Sequence, residues 1–238
     1  MIETSDKVLG AFADPLPERA ARSLERLGVT LMLGHTVIDV TADGVRLEDR
    51  EGEHTEIATK TVVWAAGVRA SPLAQMLGEA AGAEVDRAGR LTVEPDLSLP
   101  GHSEVLALGD MVRVRDGETG ASVTLPGLAP VAMQEGRYAA AVIRRRLAGK
   151  PAPPAFRYRD KGTLATIGRA RAVADVRGLR FSGFLAWAAW LTIHIFYLIG
   201  FENRAVVLVR WGYSYLTRGR GSRLITEAAQ IGGRQSVA

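Results

Sequence analysis

EVLALGDMV, residues 104–112, is the stretch on which the reading of this chain turns. An apolar run of four residues is cut off by Gly109-Asp110. A short apolar run bounded this way reads as a buried strand of an open α/β sheet. The aspartate then stands at the carboxyl edge of the sheet, where such folds bind ligands, and its carboxylate can accept hydrogen bonds from sugar-like hydroxyls. Gly-Asp is equally an ordinary strand-terminating turn, so the flanking residues decide between the two.

Upstream, LPERAARSLERLG (16–28) has helical apolar spacing and a closing glycine, and VTLMLG follows as a strand. VIDVTADGVRLED predicts a hairpin turning at Asp43-Gly44, with HTEIAT as a third strand. TVVWAAG (61–67) is an apolar run ending in small residues, as a buried parallel strand would. ASPLAQMLG predicts a short helix, and GRLTVEPDLSLPG a strand and loop. Downstream, PVAMQEGRYAAAVIRRRLAG predicts a long helix closed by Gly149, with PAPP after it as a linker. TLATIG and RAVADV form a hairpin around Gly168-Arg169. The expected organisation is three segments, 1–70, 71–150 and 151–238, of α/β class with no internal repeat.

Composition narrows the function classes. Of 238 residues, 47% are apolar and 24% charged, which suits a packed chain rather than a disordered one. There is no cysteine, which excludes disulfides, thiolate metal sites and cysteine nucleophiles, and His194 has no metal-ligand companion. The N-terminal MIETSDKVLGAF lacks the basic and apolar regions of a secretory signal. The net charge of +4 is carried almost entirely by arginine, in 137–180 and in a tail with Arg204, Arg210, Arg218, Arg220, Arg223 and Arg234. Basic residues flanking apolar segments suit anionic lipid headgroups. No nucleic-acid-binding signature accompanies them.

The order TVVWAAGV, then SLPGHSEVLALGD, then LPGLAPVAMQEGRYAA resembles the two-dinucleotide-domain flavoprotein oxidoreductases. With FRYRDKGTLATIG, a tryptophan-rich apolar stretch and a basic tail added, it is similar to the type II, non-proton-pumping NADH:quinone oxidoreductases, from Ile2 to about Thr226. The resemblance implies FAD and NAD as cofactors. It implies that Asp110 binds the ribityl hydroxyls, that Gly109 lets the backbone approach, and that Ala132 brings its amide near the flavin ring. Gln134 and Lys161 match the residues facing flavin and quinone, where a cation stabilises a developing anion. Glu3 matches the acidic residue for the adenosine ribose of NADH, and Ala66, Gly67 and Val68 would lie beside the nicotinamide. Where many members carry Ala-Gln, this chain has Ala129-Pro130, so one polar group near the quinone is missing.

No G-x-G-x-x-G occurs in the chain. The expected fold is therefore an incomplete Rossmann-like flavoprotein fold, carrying a C-terminal membrane-associating helical segment and holding FAD weakly or not at all. FSGFLAWAAWLTIHIFYLIGF (181–201), capped by Ser182 and stopped at Gly200, would make about 17 helical residues, roughly 25 Å. That is at the lower edge for a span. On a wheel, NRAVVLVRWGYSYLTR sets Arg204, Arg210, Ser214, Thr217 and Arg218 on one arc, interrupted by Val207 and Trp211. Val206, Leu208, Val209, Tyr213, Tyr215 and Leu216 take the other. This is the pattern of a helix in the membrane interface. The expected activity is electron transfer from NADH to a membrane quinone, by a peripheral protein on the cytoplasmic side of the inner membrane. Quinone and an anionic lipid surface are the partners, and a homodimer stays open. The alternative is an inactive membrane-associated remnant or binding module of the same fold.

Overall fold

The computed structural model describes residues 1–198 and 200–217. Arg218, Arg220, Arg223 and Arg234 of the basic tail, and the end of the resemblance near Thr226, lie outside the described residues.

Strand β1 (Ile2–Glu3) pairs in parallel with β2 (Met32–Leu33), and helix α1 (Leu16–Glu25) connects them. Pro17 sits in the first turn of α1, where a missing N–H costs nothing. Leu16, Ala20 and Ser23 form its buried face at helical spacing. Strands β3 (Thr36–Val40), β4 (Gly44–Glu48) and β5 (His54–Ala58) make the expected antiparallel sheet, with Thr41 Oγ1 accepting the Asp43 and Gly44 N–H groups at the turn.

Residues 61–67 depart from expectation. They form no strand, and Val63 and Trp64 are exposed. An apolar parallel strand needs paired neighbours and cover on both faces, and the described residues supply neither to this segment.

The middle segment holds helix α2 (Pro72–Ala81), N-capped by Ser71, and strands β6 (Leu91–Val93) and β7 (Ser98–Leu99). Strands β8 (His102–Leu106), β9 (Val112–Arg115) and β10 (Ser122–Val123) follow, then helix α3 (Ala129–Leu147). β6 and β9 run parallel, while β8 returns antiparallel to β7. The EVLALGD strand is thus half-exposed rather than buried, because β8 has a partner on one edge only; Ala107 alone enters the core. Leu91, Val93, Leu97 and Val112 form that core, with Tyr138 of α3 and Phe156 packed on it edge to face.

Strands β11 (Thr163–Gly168), β12 (Arg171–Val176) and β13 (Leu179–Gly183) form an antiparallel sheet. β13 was not anticipated. It takes Phe181 and Ser182 out of the apolar helix, so Ser182 is a strand residue paired with Val173 rather than an N-cap. Helix α4 (Phe184–Tyr197) therefore has 14 residues, about 21 Å at 1.5 Å per residue. No helix among the described residues is long and apolar enough to cross a membrane. Ala186 of α4 seats on Ala172 and Ala174 of β12.

Helix α5 (Phe201–Thr217) lies against α4 through Trp211 stacked on Trp190 at 5.6 Å and Tyr215 on Trp187 at 5.5 Å. Trp211, read as an interruption of a polar arc, is what seats the helix. Val206, Leu208, Val209, Tyr213 and Leu216 point away and are exposed. The fold class is the mixed α/β expected. The opposite face of the β11–β13 sheet receives α1: Val173 shares one core with Val8, Phe12, Leu16 and Ala20.

Candidate functional site

Gly109 and Asp110 form the tight link between β8 and β9. Gly109 has φ +84°, a left-handed conformation that a side chain would strain. Its N–H donates to Oε2 of Glu135 at 2.5 Å. Glu135 is the buried carboxylate of α3, in line with Val131, Ala139 and Val142 along one helix face. Burial pushes its carboxyl above the ordinary range; the Gly109 N–H opposes this and the nearby Asp110 charge adds to it.

The first turn of α3 lies against the same loop, with the Ala132 methyl 3.9 Å from where a Cβ on Gly109 would stand. Gly127 faces Asp110, and a Cβ there would sit 3.9 Å from both carboxylate oxygens. A glycine at that position leaves the carboxylate open to a ligand. An open carboxylate acceptor fits the hydroxyls of a chain such as the ribityl part of a flavin cofactor. Ala132 is the fourth helical residue, where intrahelical bonding begins.

Gln134, on the next face of α3, holds a second strand of chain by two hydrogen bonds. Its Nε2 donates to Arg159 O at 3.0 Å, and its Oε1 accepts the Arg159 N–H at 3.1 Å. Two residues on, Lys161 Nζ donates to the Tyr197 hydroxyl at 3.1 Å and lies 5.6 Å from that ring. Gly162 makes the turn, with φ +101° and room for no side chain, since a Cβ would stand 2.4 Å from Asp175 O. Gln134 and Lys161, 27 positions apart (161 − 134), are thereby brought to one corner beside the end of α4.

Glu3 stands apart from both clusters. Its Oε1 accepts the Ser5 N–H at 2.9 Å, and among the described residues no hydrogen bond or ion pair joins it to them. Ala66, Gly67 and Val68 are exposed in irregular chain, with Trp64 Nε1 donating to Ala66 O. Glu135 was missed by sequence reasoning, although the signal existed: an acid at i+4 from Val131 and i−4 from Ala139 interrupts an apolar stripe.

Residues 1–136 match the sequence profile of the pyridine nucleotide-disulphide oxidoreductases. The chain belongs to that family. Residues 161–220 also match the NDH2 C-terminal domain. It is 40% identical over 231 residues to the type II NADH:quinone oxidoreductase Ndh of Mycobacterium tuberculosis, covering 95% of this chain and 48% of the relative. It is 31% identical over 227 residues to a mitochondrial internal alternative NAD(P)H-ubiquinone oxidoreductase of Arabidopsis thaliana, covering 89% of this chain and 42% of the relative. The chain spans about half the length of the curated relatives it matches. The structure of NDH2 from Plasmodium falciparum in complex with NADH shares the fold, with TM-score 0.77 and 17% identity over 90% of this chain and 57% of that one. The resemblance to type II NADH:quinone oxidoreductases is borne out.

The Gln134 clasp is open to test. Replacing Gln134 by alanine removes both bonds to Arg159, about 1 kcal/mol in all. Amide hydrogen exchange at Arg159 is expected to accelerate about fivefold. Gln134→Glu keeps the acceptor and should leave that amide protected.

Proposed function

We propose that this chain carries the quinone side and part of the flavin side of a type II NADH:quinone oxidoreductase, held on the cytoplasmic face of the membrane. Residues 1–70 then belong to the NADH side, 71–150 to the flavin side and 151–238 to the anchor. When bound, the FAD supplies the redox chemistry, accepting electrons from NADH and delivering them to quinone. The protein's part is to bind, orient and exclude water. Asp110 accepts from the ribityl hydroxyls, and Glu135 holds the Gly109 amide so that the loop keeps its shape. Ala132 keeps the helix end close, and Lys161 supplies positive charge where anionic quinone oxygen develops.

The observation that carries the reading is the Gln134–Arg159 clasp. It ties the helix beside Asp110 to the segment that carries Lys161, whose ammonium donates separately to Tyr197 at the end of an outward-facing apolar helix pair. Exposed apolar surface on this scale marks an interaction site. A lipid-soluble acceptor and a membrane surface both fit it.

Flavin fluorescence titration of the purified chain tests the proposal. Weak binding is expected for the wild type. Asp110→Ala should weaken it about 10- to 100-fold, the loss of about 1.5–3 kcal/mol from a charged acceptor. Unchanged affinity in that variant would remove Asp110 from the site. The exposure of Ala66, Gly67 and Val68 favours a second reading, a membrane-associated module without turnover. NADH-driven reduction of a vesicle-embedded quinone by the FAD-supplied chain separates the two.

A further inference from the structure

A pocket of about 350 Å³ lies between α1 and the corner where β12, β13 and α4 meet. It is walled by Arg19 and Arg22 of α1, its C-cap residue Arg26, Arg171 of β12, Ser182 and Phe184. Arg26 keeps helical backbone, so Arg19, Arg22 and Arg26 share one face at i, i+3 and i+7, where like charges repel. Little offsets them. Glu18 Oε2 is 3.9 Å from Arg22 Nη1, and both side chains are exposed. Among the described residues no carboxylate pairs with Arg19, Arg26 or Arg171.

The guanidiniums are also poorly satisfied as donors. Arg19 reaches Ser182 Oγ only at 3.5 Å, and Arg26 turns back on Arg22 O and Ser23 Oγ. Nη1 of Arg171 is buried with no hydrogen-bond partner. Helix α4 starts at the same pocket, its N-cap Gly183 contributing no side-chain cap, so the positive end of the helix adds to the field. Four arginines lining one hollow suit a tetrahedral oxyanion, whose oxygens accept paired N–H donors.

We propose that this pocket binds a phosphate group, and that the phosphate is the headgroup of an anionic phospholipid. Phe184 both lines the pocket and, with Leu185, opens the exposed apolar surface of α4. A ligand with an anionic head and apolar chains satisfies both surfaces at once, and a free anion satisfies only the first. The proposal stands independently of the redox reading.

Calorimetric titration of the full chain with short-chain phosphatidylglycerol, short-chain phosphatidylcholine and inorganic phosphate, at fixed ionic strength, tests it. Saturable binding of phosphatidylglycerol is expected, about tenfold tighter than either of the others. The double variant Arg22→Gln, Arg26→Gln should weaken it about tenfold. Both side chains are exposed, so the buried face of α1 is untouched. Arg144→Gln with Arg145→Gln removes the same charge from the far end of α3 and should leave binding unchanged. Equal losses in the two double variants, or no saturable binding of any phosphate, overturn the pocket. Inorganic phosphate binding as tightly as phosphatidylglycerol would keep the phosphate site and overturn the lipid.

Discussion

Glu135→Ala is expected to lower the unfolding free energy of the chain by about 2–4 kcal/mol, measured by urea denaturation at pH 7. The substitution orphans the Gly109 N–H, at about 1–3 kcal/mol, and leaves a small cavity among Val131, Ala139 and Val142. Glu135→Gln separates the hydrogen bond from the charge, because its amide oxygen still accepts the Gly109 N–H. The pH dependence gives the sign. The folded carboxyl titrates above its ordinary 4.5, so between 4.5 and the raised value the folded state holds the extra proton. Stability from this group is therefore full below 4.5 and falls as pH rises through the folded pKa. The wild type should lose stability relative to Glu135→Gln from about pH 4.5 upward, and the two curves should converge in acid. Parallel curves across that range would mean that the carboxylate is not desolvated.

Leu16→Ala is expected to cost about 2–5 kcal/mol, a sizeable part of the roughly 5–15 kcal/mol that holds a typical domain folded. Leu16 is fully buried where α1 meets β12, in one cluster with Val8, Phe12, Ala20 and Val173. The cavity therefore opens between the first segment and the C-terminal sheet rather than within either. Urea unfolding should show the lower midpoint, and amide exchange in β12 should accelerate with it. A stability loss under 1 kcal/mol, or unchanged exchange in β12, would sever that packing from the stability of the chain.

Much of the local structure was legible in the residues, since periodicity and turn chemistry are local. The apolar spacing and closing glycine of LPERAARSLERLG marked α1, the Asp43-Gly44 dipeptide placed the β3–β4 turn, and Pro130 with Gly149 bracketed α3. The misses share one cause. TVVWAAG has the composition of a buried strand, but burial requires neighbours, and composition does not supply them. FSG continued an apolar run without a break, and only pairing with β12 marks it as a strand. Trp211 interrupted a polar arc until α4 stood beside it.

The candidate site divides the same way. Gly109-Asp110 stood out because a glycine and an acid ending an apolar run are chemically conspicuous, and Gln134 and Lys161 because the motifs around them are distinctive. That Glu135 closes on Gly109, that Gln134 clasps Arg159 and that Lys161 meets Tyr197 are decisions of the tertiary structure. So is the arginine pocket, where Arg171 joins three arginines of one helix face although it lies 145 positions beyond Arg26 (171 − 26). A period states which residues of one element share a face. Which faces meet depends on area buried and donors satisfied across the whole chain, and that free energy is determined only when the elements pack.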